Sequence, residues 1–369
     1  MNTSSYPTWL EINLSAIEAN THYFIELTRT PLMGVIKANA YGFGSVEVGK
    51  TLLQAGAEWL AVARYAEAQT LREAGITAPI LVFGLTMPEE VDAAIANDIT
   101  LSMYSFEIAN IYAQRTKAIG KPLKVHLKVD TGLGRLGVYA DEVLSLARFA
   151  LEKGKIEIDG IYSHLAMVDE GDFPETEHQT VLFSNVVQAL SENGIRPRWI
   201  HLAGSSGAIY APATRFNLVR SGCALLGIAP RNTAPIPKEL RRVLSWKAHL
   251  ASCKMIPMGC GVGYGHAYVT SNEEIIGVLP IGYSDGFRRL PGNEVIIDGK
   301  KVPVVGKMCM DMAMVRLPKI YPMGTEAVII GSQGKATIDL EDLANRWKIG
   351  EVDVVSNISL RVPRVYTRD

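Results

Sequence analysis

The chain has 369 residues, 48% hydrophobic and 20% charged, with 37 basic against 38 acidic side chains and a formal net charge of -1. That balance exerts no global pull toward nucleic acid or an anionic membrane, so neither is expected as a partner. No apolar run reaches the length of a membrane span, and the opening MNTSSYPTWLEINL lacks the charged-then-apolar pattern of a signal peptide. Cys223, Cys253, Cys260 and Cys309 show no CxxC spacing, which reads as reduced thiols and not as a disulfide framework or a zinc site. A cytoplasmic setting is expected, either for a free protein or for the cytosolic domain of a membrane-anchored one.

Residues 9–14 alternate apolar and polar as a half-buried strand would, and Ser15 is placed to cap a helix running through Phe24. From Leu32 onward a short β-rich run, a loop and a helical stretch repeat. The runs are 34–38, 59–63, 79–83, 100–104, 124–129, 158–164, 198–203 and 217–222, with amphipathic segments such as 45–57, 66–74, 88–96 and 177–193 between most of them. Eight strands alternating with helices is the count of a parallel (β/α)8 barrel. No self-similarity at a fixed period accompanies it, so a solenoid is not expected. Beyond Pro230 the texture changes. Residues 232–237 read as a Pro-containing linker. Strand-like runs at 244–255, 275–279, 295–297, 302–305, 313–317 and 326–330 follow, with one short helix at 340–347. The expected class is α/β: a barrel over 1–238, then a mostly β domain over 239–369, with the first strand joining that second domain.

The stretch Gly34-Val35-Ile36-Lys37-Ala38-Asn39-Ala40-Tyr41-Gly42 delivers a lysine and a tyrosine from an apolar run into a glycine-bounded loop. A desolvated lysine loses its proton more easily, which is the state that forms a Schiff base with an aldehyde. The plainer reading is a lysine reaching into solvent. Other strand ends supply partners: Lys128 and Arg135 around the fifth, His164 after the sixth, His201 with Gly204-Ser205-Ser206-Gly207 after the seventh, and Arg220 with Gly222 after the eighth. Singly, His201 could be a satisfied core histidine and Arg220 the partner of a carboxylate. Together they lie where a barrel places reactive groups. Gly204–Gly207 and Ser221-Gly222, with Cys223 beside them, look like a phosphate cradle. Pyridoxal 5'-phosphate is an aldehyde that carries a phosphate. A rival reading comes from Gly132-Leu133-Gly134-Arg135-Leu136-Gly137, which matches GxGxxG and has Asp159 downstream, as in a nicotinamide-dependent dehydrogenase. In the second domain Tyr264 lies among Gly261, Gly263 and Gly265, and polar hairpin turns are expected at 282–286 and 306–311. Cys309 reads as a packed small hydrophobe.

This set of motifs resembles the alanine racemases, pyridoxal-phosphate enzymes of fold type III, nearly end to end, from Val35-Ile36-Lys37-Ala38-Asn39-Ala40-Tyr41-Gly42 through Asp130-Thr131-Gly132, Val219-Arg220-Ser221-Gly222 and Cys309-Met310-Asp311 to Arg361-Val362-Pro363-Arg364. The resemblance implies that Lys37 holds the cofactor and is one catalytic base. Tyr264 would be the opposing base, contributed by the partner subunit of a homodimer. Tyr41, Ser205 and Gly222 would contact the phosphate, and Arg220 would face the pyridine nitrogen with His164 beside it. Arg135 and the Met310 backbone would hold the carboxylate of a small amino acid, with Lys128, carbamylated as in many relatives, orienting Arg135. Tyr283 and Asp311 would line the entrance and the far wall. Three departures stand out: Gly204-Ser205 replaces an Asn-Ser pair, a tyrosine near Leu226 is missing, and Val352 replaces a tyrosine that narrows the pocket. Val352, with Ser356 and Asn357 nearby, resembles the serine/alanine racemase branch that includes the soluble domains of membrane-bound serine racemases linked to vancomycin resistance. L-serine is therefore expected as a substrate alongside L-alanine, the product supplying D-amino acid for peptidoglycan precursors. The rivals are a decarboxylase of the same architecture, a pyridoxal-phosphate-binding homeostasis protein, and the dehydrogenase.

Overall fold

The computed structural model describes residues 5–229 and 237–368, so all of the expected linker except Pro237 lies outside the described residues. The chain divides into two compact units, residues 17–241 and residues 1–16 with 242–369. Among the described residues no helix is long and apolar enough to cross a membrane.

The first strand, β1 (Thr8–Asn13), leads into α1 (Leu14–Thr28). Asn13 Oδ1 accepts the Ala16 N–H at 2.9 Å, so Asn13 caps this helix and the expected Ser15 does not. The barrel strands follow: β2 (Leu32–Val35), β3 (Trp59–Val62), β4 (Ile80–Val82), β5 (Thr100–Met103), β6 (Leu123–Asp130), the two-residue β7 (Val138–Tyr139) beside β6, β8 (Ile156–Tyr162), β9 (Trp199–His201) and β10 (Val219–Ser221). Their parallel order is β10-β2-β3-β4-β5-β6-β8-β9. Between β9 and β10 the circle is completed by single bonds, Asn217 N–H to Ile200 O at 3.3 Å and Arg220 N–H to Ala203 O at 3.1 Å. Strands covered on both faces need no polar residue, and LMGV, WLAV and ILV are buried throughout. Around them run the turn α2 (Lys37–Tyr41) and helices α3 (Ser45–Gln54), α4 (Tyr65–Glu73), α5 (Pro88–Ala96), α6 (Phe106–Ile119), α7 (Val143–Lys153), α8 (Phe173–Glu192) and α9 (Ser205–Tyr210). Alternate strand residues fill the interior with Met33, Val35, Trp59, Ala61, Leu81, Tyr162, Trp199 and Leu218. Ser102, His126, Lys128, His201 and Arg220 are buried as well.

In the other unit, β1 pairs antiparallel with β11 (Leu244–His249; Thr8 opposite Ala248) and parallel with the final strand (Leu10 opposite Arg364). Between these lie β12 (Ser252–Ile256), β13 (Gly261–Val262), β14 (Tyr268–Val269), β15 (Glu274–Leu279), β16 (Glu294–Ile297), β17 (Lys300–Val305), β18 (Ala313–Leu317), β19 (Glu326–Gln333), β20 (Ala336–Ile338), α10 (Leu340–Trp347) and α11 (Glu351–Ser356), and β21 (Arg364–Thr367) is that final strand. The sheet order is β12-β15-β18-β17-β16-β19-β11-β1-β21. The run expected at 244–255 is two strands, because the backbone changes partner at Leu250, whose N–H goes to Thr325 O, and at Ala251, whose N–H goes to Val278 O. The turn at 282–286 is a crossover and not the expected hairpin, since β15 pairs with β12 and β18 while β16 pairs with β17 and β19. Phe287 meets Trp246 edge-on and Trp347 at a tilt in one part of this unit's core, and Val262, Ile276, Val305 and Met314 form another.

Candidate active site

The strand expected at 34–38 ends at Val35. Ile36 still donates to Ala61 O, and the chain then turns left-handed over four non-glycine residues: Ala38, Asn39, Ala40 and Tyr41 have φ of 52°, 55°, 52° and 57°. Each such residue costs about 1–2 kcal/mol in an L-chain, so the turn must be held from outside. Asn39 Oδ1 accepts the Ser45 N–H at 2.8 Å, and Glu67 Oε1 accepts the Ala38 N–H at 2.5 Å. Lys37 is thereby placed at a cavity of about 340 Å³ lined also by Tyr41, Lys128, Arg135, His164, Ser205, Arg220, Gly222 and Cys223. These are the expected site residues of the barrel, gathered in one place; His201 lies beneath them, fully buried.

The Ser205 hydroxyl stands 2.9 Å from that of Ser221 and accepts the Gly222 N–H at 3.4 Å. A Cβ on Gly222 would lie 2.5 Å from Tyr41 Oη, so the bare backbone is what admits the phenol to this cradle. Burial raises the Tyr41 hydroxyl and the Cys223 thiol, which keeps both protonated as donors. On the other side Arg220 donates to the carbonyls of His201, Ser163 and Leu202 at 2.9, 2.8 and 2.9 Å, and contacts His164 Nδ1 at 3.2 Å. No carboxylate is among these partners, so the pairing weighed from sequence is replaced by carbonyl dipoles. Burial lowers Arg220 only to about 10, so it stays charged at neutral pH.

Because a guanidinium can only donate, its 2.8 Å contact makes His201 Nδ1 an acceptor and puts the ring proton on Nε2. That proton points at His126 Nδ1, 2.8 Å away, which leaves the His126 proton on Nε2, 3.9 Å from Asp159 Oδ2. Burial pushes both histidines down, so the relay is neutral. Tyr162 stacks on His201 at 4.9 Å and 2°, and its hydroxyl meets Ser102 at 2.7 Å. Burial together with Arg220 and Arg135 pulls the Lys128 ammonium down to about 7, and burial with Arg135 lowers Lys37. His164, buried beside Arg220, lies well below its ordinary value.

The GxGxxG segment proves to be a different object. Asp130 accepts the N–H groups of Gly132, Leu133, Gly134 and Arg135 at 3.0, 3.0, 3.2 and 3.2 Å. The donors that would cradle a pyrophosphate are held by the chain's own carboxylate, and the next helix starts only at Val143. Asp159, the other half of that reading, faces His126.

The remaining expected residues belong to the second unit. Tyr264 is 67% exposed, between Gly263 and Gly265 at φ 75° and 66°. Tyr283 and Met310 lie on loops latched together: the Tyr283 N–H donates to Cys309 O at 3.2 Å and the Ser284 hydroxyl to Met310 O at 2.7 Å, while a side chain on Gly282 would strike the Met310 carbonyl. Asp311 pairs with Arg361 at 2.7 Å, and Arg361 also holds Asp285 at 2.6 Å. Val352 lies exposed in α11, and Asn357, just past it, donates to Asp353 O at 2.7 Å. Sequence reasoning passed over Glu67, His126, Ser102 and Tyr162. Only His126 left a trace, two residues from Lys128 in a strand and therefore on the same face.

An amine of weakened basicity at the mouth of an α/β barrel, a hydroxyl and backbone cradle, and a buried guanidinium opposite fit pyridoxal phosphate as a donor set. Fold and site together define a barrel-type pyridoxal-phosphate enzyme. Residues 12–230 match the family model of the alanine racemase N-terminal domain, and residues 243–366 that of the C-terminal domain. An alanine racemase of Symbiobacterium thermophilum is 38% identical over 365 residues, covering 98% of this chain and 97% of its own. The crystal structure of alanine racemase from Bacillus anthracis with bound L-Ala-P superposes with a TM-score of 0.92 at 35% identity, over 98% of this chain and 95% of that one. A histidine racemase from Leuconostoc mesenteroides subsp. sake has a TM-score of 0.93 at 29% identity, over 98% of each chain. The chain belongs to the alanine racemase family and is a pyridoxal-phosphate-dependent amino-acid racemase.

Proposed function

We propose that this racemase interconverts the enantiomers of both alanine and serine, with Lys37 and Tyr264 as its two bases. The observation that carries the first half is the Lys37 amine, partly desolvated beside Arg135 and set against the Tyr41, Ser205 and Gly222 cradle. Pyridoxal phosphate bound there supplies the electron withdrawal that acidifies the substrate Cα–H. Lys37 Nζ then exchanges a proton on one face. Tyr264 of a second copy in a homodimer serves the opposite face, since one base cannot reach both. Arg220 keeps its own protons and has none to lend a ring nitrogen, which argues against the decarboxylase reading with its acidic partner. Arg135 and the Met310 backbone hold the substrate carboxylate, Lys128 as a carbamate orients Arg135, and Tyr283 and Asp311 line the approach. Serine is supported by Val352 standing where the family commonly has a tyrosine, with the Asn357 amide close in sequence. The histidine racemase of the same fold is a relative that acts on a larger side chain. D-amino acid for peptidoglycan precursors is the role this reading implies.

The test is loss of the α-proton NMR signal in deuterated water, with added pyridoxal phosphate and L-alanine or L-serine. Exchange with both substrates is the expected result. Alanine alone removes the serine half, and silence with both removes the two-base assignment.

A further inference from the structure

The left-handed turn that follows Lys37 is held at its start by a carboxylate that is not among the residues lining the cavity. We infer that Glu67 is a positioning residue for Lys37: its carboxylate clamps the left-handed turn so that the amine meets the cofactor in one orientation. The inference rests on Lys37 being the cofactor lysine. Glu67 Oε1 accepts the N–H of Ala38 at 2.5 Å and of Asn39 at 3.4 Å, and Oε2 accepts the N–H of Ala63 at 2.9 Å and of Arg64 at 3.1 Å. One side chain thus binds the chain where it leaves β2 and where it leaves β3, and those strands are neighbours, with Val35 opposite Ala61.

The chemistry of the clamp is specific to glutamate. Only a carboxylate offers two oxygens that each take two N–H donors. Glutamine would turn an NH2 against one of the donor pairs, and aspartate is a methylene too short. Glu67 lies in the first turn of α4, where the helix dipole favours its negative charge. Its charge also opposes the burial and Arg135 effects that lower Lys37. Holding the Ala38 N–H fixes the peptide plane next to Lys37, and with it the direction of the Lys37 side chain. The site needs this hold because the intervening Ala38-Asn39-Ala40 has no glycine to make a positive φ easy.

The experiment uses the full chain, wild type and Glu67→Gln, stripped of cofactor and reloaded with pyridoxal phosphate. It follows the visible absorbance of the lysine-bound cofactor during uptake and across a pH titration, together with the melting temperature. For Glu67→Gln we expect uptake and kcat slower by on the order of tenfold or more, KM little changed, and a displaced pH midpoint of the absorbance band. Adding Ala38→Gly, which takes the left-handed conformation without steric cost, is expected to recover part of the uptake rate, and it also gives the clamp-free turn a second chance to fold. A lower melting temperature with unchanged uptake and unchanged midpoint would show a merely structural cap and overturn the inference. Absence of the band in the wild type removes the Lys37 reading itself, a failure visible before any variant is made.

Discussion

Lys128 shows how far a buried residue can be moved from its usual chemistry. Burial, Arg220 and Arg135 bring its pKa down to about 7, so the amine gives up its proton far more readily than an ordinary lysine does. An uncharged amine is the form that adds carbon dioxide, and the resulting carbamate would set a negative charge among Lys37, Arg135 and Arg220. With 13C-labelled carbon dioxide we expect a carbamate resonance in the wild type and none in Lys128→Met. The unmodified lysine leaves a thermodynamic mark as well. Its folded value lies below the ordinary lysine value of 10.5, so between about 7 and 10.5 the unfolded chain holds the extra proton and stability rises with pH. In buffer free of carbon dioxide the wild type should gain at most about 1.4 kcal/mol per pH unit over Lys128→Met across that window, read by denaturant titration. A flat difference would mean that the amine keeps its proton. At this scale the sequence was legible where a charge ends an apolar run, as at Lys37, Lys128 and Arg220. Glu67 was not, since an acid on a solvated helix face is unremarkable until two loops bring their N–H groups to it. Ser102 was hidden by the apolar strand around it, and His126 showed only through its spacing from Lys128.

At the scale of elements, patterns with one sequence signature proved to have several physical realisations. Runs of buried apolar residues gave the barrel strands their positions to within a few residues. The stretch 38–41 could not be read, because of Ala, Asn and Tyr only Asn favours the left-handed region, and the turn exists through tertiary bonds. GxGxxG stayed open as a rival for a related reason: glycines permit a nest of N–H groups but do not say what fills it, and Asp130 does. The short helix α11 carries the specificity proposal. Replacing Val352 by the larger phenol is expected to lower the serine-to-alanine ratio of kcat/KM by roughly tenfold or more, as steric differences of this size do. A ratio that stays put would remove Val352 from the account of substrate size.

For the whole molecule, the proposed homodimer has an arithmetic consequence. If Lys37 and Tyr264 of one site come from different chains, mixing Lys37→Ala with Tyr264→Phe protomers yields hybrids in which one site is intact and the other doubly defective. Random reassortment should then restore about a quarter of wild-type activity from two inactive parents. No restoration would mean that both bases act from the same chain. The alternation of strands and helices made the barrel readable at this scale. The second unit was read as mostly β, but its strand order was not, because antiparallel neighbours far apart in sequence leave no local trace.

The pairing of β1 with β11 and β21 bears on how the protein is made. Trp9, Leu10 and Ile12, buried in the finished sheet, are translated before the barrel, and their partners at 244–248 and 364–367 come more than two hundred residues later. Until those partners are made, β1 lacks both of its pairing strands, and an unpaired apolar strand is the kind of surface that recruits wrong partners. Substitutions in β21 should therefore act first on the yield of properly assembled protein during synthesis, because β1 is made before the barrel and is housed only after it.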